Sequence, residues 1–329
     1  MKMQKFTKAQ SDYILNTRRN FNKNERSFGS VDELMGCATP ITKDAWGDWD
    51  KNGIGVARDV LAVFSSIASS NSRSIPLSVL VAHFQQISDS GEVNTSIDGR
   101  SKAKEDQAVV TYVGTPIPIY DSVASWGWRQ MLMMKAEGGN LESTTVANKQ
   151  RKIAEKLEDM TINGVSGVIV GGANLYGLTN HPQRNTRSTG VTLNGATGAQ
   201  WVAEFKATLQ LNHADNHRAP QTIYLNWDDW FYAQTTDYST AKGNNTIAER
   251  VQQIPGIKEI VPASNIVADT IIALDKQRDT VEMLNGMPMT QRPINRLNTE
   301  DDFKIKVMAA QAIQLKYDST NQMGLAHSS

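Results

Sequence analysis

"IPLSVLVAHFQQI" (residues 75–87) and "AVVTYVGTPIPIY" (108–120) are the two stretches whose relation decides the fold. Both are apolar and rich in β-branched residues, the composition of strands. Between them lies "DSGEVNTSIDGRSKAKEDQ" (89–107), polar except for Val93 and Ile97. An insert of that length is uncommon inside a compact domain. If the two strands pair, they make a long hairpin whose tip lies beyond any core the chain itself supplies. A projecting hairpin of that kind finds its burial on another chain. The alternative is a flexible surface loop.

Downstream, "ESTTVANKQRKIAEKLEDMTING" (142–164) predicts a long one-sided helix. Val146, Gln150, Ile153, Leu157 and Met160 recur at helical spacing, and Lys149, Lys152, Glu155, Lys156 and Glu158 are expected to face elsewhere. Ser143 or Thr144 is the candidate cap, and Gly164 the stop. "GVSGVIVGGANLYGLTNHP" (164–182) is glycine-rich, "AQWVAEFKATLQLNHA" (199–214) a second helix with Trp201, Phe205 and Leu209, and "QTIYLNW" (221–227) a buried strand before a short helix at "DDWFYAQ". "IIALDK" (271–276) and "TVEMLN" (280–285) read as strands. "DDFKIKVMAAQAIQLKY" (301–317) alternates. Phe303, Ile305, Val307, Ile313, Leu315 and Tyr317 share one face, with Lys304, Lys306, Gln314 and Lys316 on the other, as in a half-buried strand.

Upstream of the hairpin, "IGVARDVLAVFSSIA" (54–68) predicts a short amphipathic helix. Residues 1–50 read as an arm. Within residues 1–30, seven Lys/Arg (Lys2, Lys5, Lys8, Arg18, Arg19, Lys23, Arg26) stand against Asp12 and Glu25. Such a terminus is either a solvated tail or an arm that packs on neighbouring copies or faces a polyanion. The chain as a whole has 34 Lys+Arg and 34 Asp+Glu, which argues against binding nucleic acid through overall charge. Cys37 is the single cysteine, so there is no intrachain disulfide framework and a reducing compartment is expected. No apolar leader and no membrane-spanning stretch are seen, so a soluble, cytosolic-type protein is expected.

Motifs for chemistry are weak. "DWDKNGIGVARD" (48–59) places Asp48, Asp50 and Asn52 at positions 1, 3 and 5 of a calcium loop and Gly53 at position 6. However, Gly55 stands at the apolar position 8, Asp59 replaces the long bidentate Glu, and Pro40, Gly47, Trp46 and Trp49 occupy the place of the entering helix. Asn52-Gly53 reads better as a turn whose aspartates meet free amides. His213 and His217, with Asp215 between them, have metal-ligand spacing but fall at a fraying helix end before Pro220. The glycine cluster has neither nucleotide fingerprint nor a nucleophile elbow. No catalytic, cofactor-binding or metal site is assigned, and no enzymatic activity is expected. A metal-dependent enzyme using His213, Asp215 and His217, or a calcium module at Asp48, remains as the different-class alternative.

What is left is the order of elements, and that order resembles the major capsid proteins of tailed bacteriophages and the encapsulin shells of the same fold. "KQRKIAEKLEDMTINGVSGVIVGGANLYGLTNHP" is similar to the exit of that family's spine helix, with Gly172, Gly177, Leu178, Asn180 and Pro182 carrying the "G…GL.N.P" pattern. "ITKDAWGDWDKNGIGVARD" resembles the family's N-arm, and "FKIKVMAAQAIQLKYDSTNQMGLAH" its closing strand with the turn at Gly324. The resemblance implies an α+β, Hong Kong 97-like capsid fold. It would be divided into an N-terminal arm and short helix (1–70), an extended E-loop hairpin (71–122), a P-domain (123–185, spine helix 142–163), an A-domain (186–285) and a return to P-domain strands (286–329). It implies a major capsid protein that self-assembles through hexamers and pentamers into an icosahedral virion shell around double-stranded DNA, assembled in the bacterial cytoplasm. Its partners would be itself, non-specifically bound DNA, and scaffolding, portal and decoration proteins, with no cofactor and no membrane. An encapsulin-like compartment is the nearest alternative. Some members crosslink an E-loop lysine to a neighbour; Lys102 and Lys104 lie in that loop.

Overall fold

The protein is described here by a computed structural model covering residues 8, 61–91, 93–95, 97, 105, 107–137, 141–239 and 245–329. The expected calcium-like loop, Cys37, Lys102 and Lys104 lie outside the described residues, as does the arm except Lys8.

A nine-residue helix, α1 (Ala62–Ser70), leads into the short strand β1 (Ser72–Ser74). The expected 54–68 helix is broken at Leu61, which takes a left-handed φ of 73°, so α1 begins at Ala62, and it continues to Ser70; residues 51–60 lie outside the described set. The two signature stretches do pair. β2 (Val81–Ile87) runs antiparallel to β3 (Val110–Pro116), with Val81 opposite Pro116 and Ile87 opposite Val110. Both strands are shorter than the apolar runs suggest. Pro76 through Val79 form a turn, and after Pro116 the chain breaks at Ile117-Pro118 to start β4 (Tyr120–Trp126). β4 escapes the sequence pattern because "YDSVASW" has few large apolar residues.

Two helices follow, α2 (Trp128–Glu137) and the 23-residue α3 (Leu141–Asn163). Ser143 and Thr144 lie inside the first turn of α3 rather than before it, so neither stands at its N-cap. Val146, Ile153, Leu157 and Met160 are buried as the periodicity requires, while Lys152 and Lys156 are exposed. Glu158 departs from the expectation: it is only 1 % exposed.

The end of α3 explains the glycine-rich motif. A helix leaves its last carbonyls without partners. Here Gly164 N–H donates to Met160 O, Leu178 N–H to Thr161 O, Thr179 N–H to Ile162 O, and the Asn180 side chain to Asn163 O at 2.6 Å. Gly164 has φ +68, and a Cβ there would meet Leu175 O at 2.6 Å, so both conformation and space demand glycine. Between these contacts a small hairpin forms, β5 (Val165–Val170) and β6 (Ala173–Leu175), turning at Gly171-Gly172.

The remaining elements are β7 (Asn185–Arg187), α4 (Gly198–Ala214), β8 (Gln221–Asn226), α5 (Trp227–Thr235), α6 (Ile247–Gln252), β9 (Ile257–Ala263), β10 (Ile271–Leu274), β11 (Val281–Ile294), β12 (Phe303–Leu315) and β13 (Leu325–Ser328). α4 begins with a capping box, Thr197 and Gln200 satisfying each other's backbone amides.

Two sheets organise the molecule. The first has the order β1-β11-β12-β4 and carries α3 on its face. The second has the order β7-β13-β10-β8-β9 and packs against α4, with α5 and α6 beside it. This second sheet is buried on both faces. Ile223, Leu225, Ile271 and Ala273 point into the core with Trp201, Phe205 and Trp230, while Tyr224, Ile272 and Leu274 point into the core shared with α1 and α3. Alternate residues thus serve two cores, which is why "IIAL" and "IYL" are continuously apolar.

β12 corrects the simple alternation expected of it. Lys304 is exposed, but Gln314 is fully buried, and its amide donates to Ala82 O at 3.1 Å. The base of the hairpin covers the second face of β12 at this point. Small residues, Ala309, Ala310 and Ala312, let both faces be approached closely.

Candidate assembly surface

The β2–β3 hairpin is anchored at its base and bare beyond it. Gln314 reaches Ala82 O, Gln86 donates to Tyr317 O at 3.1 Å, and the Phe84 and Tyr317 rings meet edge to face at 5.9 Å. The aromatic run continues through His181 to Tyr176. Gly114 permits this packing, because a Cβ there would meet Val81 Cγ1 at 2.7 Å and Ala173 Cβ at 3.2 Å. Between the hairpin base and β5–β6 lies a cavity of about 470 Å³, walled by Phe84, Val113, Tyr176, His181 and Tyr317. Burial, reinforced by nearby Arg184, holds the His181 pKa down at about 4, so its ring is neutral near pH 7 and its Nδ1 accepts from Gln183 N–H.

Past Gln86, Ile87 and Val109 are 60 % and 62 % exposed and Val93 and Ile97 of the connecting loop are bare, while Tyr112, opposite Gln85 within the anchored stretch, is 63 % exposed. Single exposed apolar residues are ordinary, but a run along one hairpin is not. Further apolar exposure occurs on α2 (Trp128, Leu132, Met133), on α5 (Trp227, Phe231) and at Leu297 in the β11–β12 turn. Sequence reasoning found the hairpin but not α2 or the β11–β12 turn. Trp128 and Leu132, four residues apart, were the available signal.

Of the two histidines, His213 keeps its Nε2 buried without a hydrogen bond, and His217 turns to a carboxylate. α4 ends at Ala214 and Asn216 takes a left-handed φ of 65°, so His217 leaves the helical face. His217 Nδ1 lies 3.3 Å from Asp275 Oδ2, a contact that raises the His217 pKa. Asp215 accepts from the Asn185 side chain at 2.7 Å and from Met323 N–H at 3.3 Å. Gly324 makes room for this corner, since a Cβ there would meet His217 Nδ1 at 2.8 Å. These groups tie the end of α4 to the start of β13. Among the described residues no group of three or more His, Cys, Asp or Glu side chains is placed to hold an ion, and no helix is long and apolar enough to cross a membrane.

Solved structures that superpose on this chain include phage capsids and a virus-like particle. The capsid of Myoviridae phage XM1 superposes with a TM-score of 0.71 at 9 % identity, covering 87 % of this chain and 97 % of that one. A chain of Mycobacterium phage Cain gives 0.58 at 15 % identity, covering 88 % and 96 %. The virus-like particle from Pyrococcus furiosus gives 0.54 at 14 % identity, covering 82 % and 96 %. The chain therefore has the Hong Kong 97-like capsid fold, of the mixed helix and strand class expected from the element order. A search of curated proteins finds no match. A family profile spans nearly the whole chain, from residue 36 to residue 328, and the protein accordingly belongs to the family described as a family of unknown function (DUF6260).

Proposed function

We propose that this protein is the major capsid protein of a tailed bacteriophage, self-assembling into an icosahedral shell around double-stranded DNA. The observation that carries the reading is the β2–β3 hairpin, anchored by Gln314, Gln86 and Phe84 yet exposing Ile87, Val109 and Tyr112. A second copy of the chain supplies the missing burial, and a stable contact buries about 1,200–2,000 Å² in total. On this reading the hairpin is the E-loop, α3 the spine of the P-domain, and the sheet around β10 the core of the A-domain. The arm, with its seven cations, faces packaged DNA. Assembly takes place in the bacterial cytoplasm, with portal, scaffolding and decoration proteins as further partners.

Expression of the protein alone, followed by light scattering and negative-stain microscopy, tests this directly. Closed shells or rings of five and six are expected; a monodisperse monomer at high concentration across a range of salt overturns it. Deleting residues 90–106 is expected to leave the circular dichroism spectrum intact and weaken assembly. The likeness to the Pyrococcus furiosus virus-like particle favours a second reading, a compartment for protein cargo. The contents of purified particles separate the two. Changing Arg18, Arg19, Lys23 and Arg26 to Gln reduces DNA retention under the first reading and leaves protein cargo unchanged under the second.

A further inference from the structure

The cavity between the hairpin base and β5–β6 is walled by aromatic rings and holds one polar group that the fold leaves unspent. Phe84, Tyr317, His181 and Tyr176 stand in a row, successive ring centres 5.9, 5.5 and 5.4 Å apart and each pair edge to face. Val113 of β3 and Ala173 of β6 add apolar wall. The turn at Gly171-Gly172, with φ +58 and +83, borders the space without a side chain to fill it. At about 470 Å³ the cavity falls within the roughly 300–1,000 Å³ of small-molecule sites.

Charge is missing from its lining. Among the described residues that border it, none is Asp, Glu, Lys or Arg. Arg184, the cation that acts on His181, is spent on His327 Nδ1 at 3.3 Å and on His181 O at 2.9 Å. The site therefore has nothing to offer a phosphate, a carboxylate or a metal ion. The unspent group belongs to His181, which is only 4 % exposed. Its Nδ1 accepts from Gln183 N–H at 3.2 Å, so in the neutral ring the proton sits on Nε2. That N–H has no acceptor among the described residues, and a buried donor without one is costly. The ring borders the cavity, so the cavity is where an acceptor can come from. Water meets the donor but leaves the rings wetted, whereas a planar guest with one carbonyl oxygen satisfies both.

We propose that this cavity binds a small uncharged aromatic molecule carrying a hydrogen-bond acceptor, which lies against the rings of Phe84 and Tyr317 and accepts from His181 Nε2–H. Such a guest touches the β2–β3 hairpin, β5–β6 and the end of β12 together, so its occupancy holds the hairpin at its base. The inference stands apart from the shell-forming reading.

Saturation-transfer NMR on the full chain tests it, with coumarin, chromone and benzamide as probes. At least one is expected to bind at about 1 mM or tighter. For the probe that binds, its carboxylate-bearing counterpart and the hydrocarbon of the same ring size are each expected to bind about tenfold more weakly. Hydrogen exchange over residues 81–87 and 110–116 is expected to slow with the probe present. His181→Phe keeps a ring and removes the donor, so it is expected to weaken the probe about fivefold or more and leave the hydrocarbon unchanged. If His181→Phe loses its fold, Val113→Phe, which narrows the cavity, replaces it, and all binding is expected to fall. Failure of all three probes, a preference for the carboxylate, or binding that the variant leaves untouched overturns the site. Binding by the unassembled subunit that vanishes in assembled particles assigns the cavity to a side chain of a neighbouring copy and overturns it as well. A protein that stays monomeric yet binds the probe overturns the shell reading alone.

Discussion

Glu158 fixes where α1 begins, and its replacement has a magnitude that follows from two hydrogen bonds. α1 starts after Leu61, which has a left-handed φ of 73° and offers no capping side chain. Its second and third amides, Val63 N–H and Phe64 N–H, are instead met by Glu158 Oε1 and Oε2, each at 2.8 Å, from a helix more than ninety positions away. A carboxylate here also meets the positive end of the helix dipole. In Glu158→Gln one amide keeps a neutral acceptor and loses about 1 kcal/mol of charge assistance, while the other faces an NH2 group and costs about 1–3 kcal/mol as an unmet buried donor. The expected loss is about 2–4 kcal/mol, reduced at the margin by the relief of burying a charge, and Glu158→Ala should lose more. Urea unfolding of the unassembled subunit measures it. Hydrogen exchange at Val63 and Phe64 should quicken in parallel. Glu155→Gln, one turn earlier and paired with Lys152 at the surface, is the control and should lose less than about 1 kcal/mol. If Glu158→Gln unfolds within about 0.5 kcal/mol of the wild type, the inter-helix cap is not what starts α1.

Leu157→Asp should be among the most damaging single changes, because it places an unpaired carboxylate in the core where a margin of about 5–15 kcal/mol is all a domain has. A soluble, normally assembling variant would show that the stripe of α3 is not core. His181 gives a pH dependence of definite sign. Its folded pKa, held by burial at about 4, lies below its unfolded value, so the unfolded chain binds the extra proton between about pH 6.5 and 4. Its contribution is fully present above that window and falls by about 3 kcal/mol as pH drops through it. His181→Phe should flatten that part of the stability profile relative to the wild type, and a difference profile without slope between pH 6.5 and 4 refutes the burial argument.

What the sequence makes legible divides along a physical line. Periodicity reports which face of an element meets a core, and it located α3, α4, β8, β10, β12 and the paired strands of the hairpin to within a few residues. It does not report which polar residues on those elements are spent on contacts far away in the chain. Glu158 follows Leu157 and falls off the apolar stripe of α3, yet it caps α1; Gln314 alternates with Ile313 and Leu315, yet it holds the hairpin through Ala82 O. Both are polar positions that the fold buries because a backbone group from elsewhere arrives to be satisfied, and no local window contains that group. The same reasoning explains the motif "GLTNHP". Read alone it is a string of turn formers. Placed after α3 it supplies Leu178, Thr179 and Asn180 to three carbonyls that the helix cannot satisfy itself. β4, α6 and β9 went unassigned for the complementary reason: "YDSVASW", "IAERVQ" and "IKEIVPA" are too short or too polar to declare a period, and they hold their place through neighbours such as β12 and β8. The assembly surface lies at the limit of this logic. An exposed Val109 or Tyr112 is indistinguishable in sequence from a buried one, and only the pairing of β2 with β3, with no further element laid over their outer ends among the described residues, turns the pattern into the exposed face on which the shell-forming proposal rests.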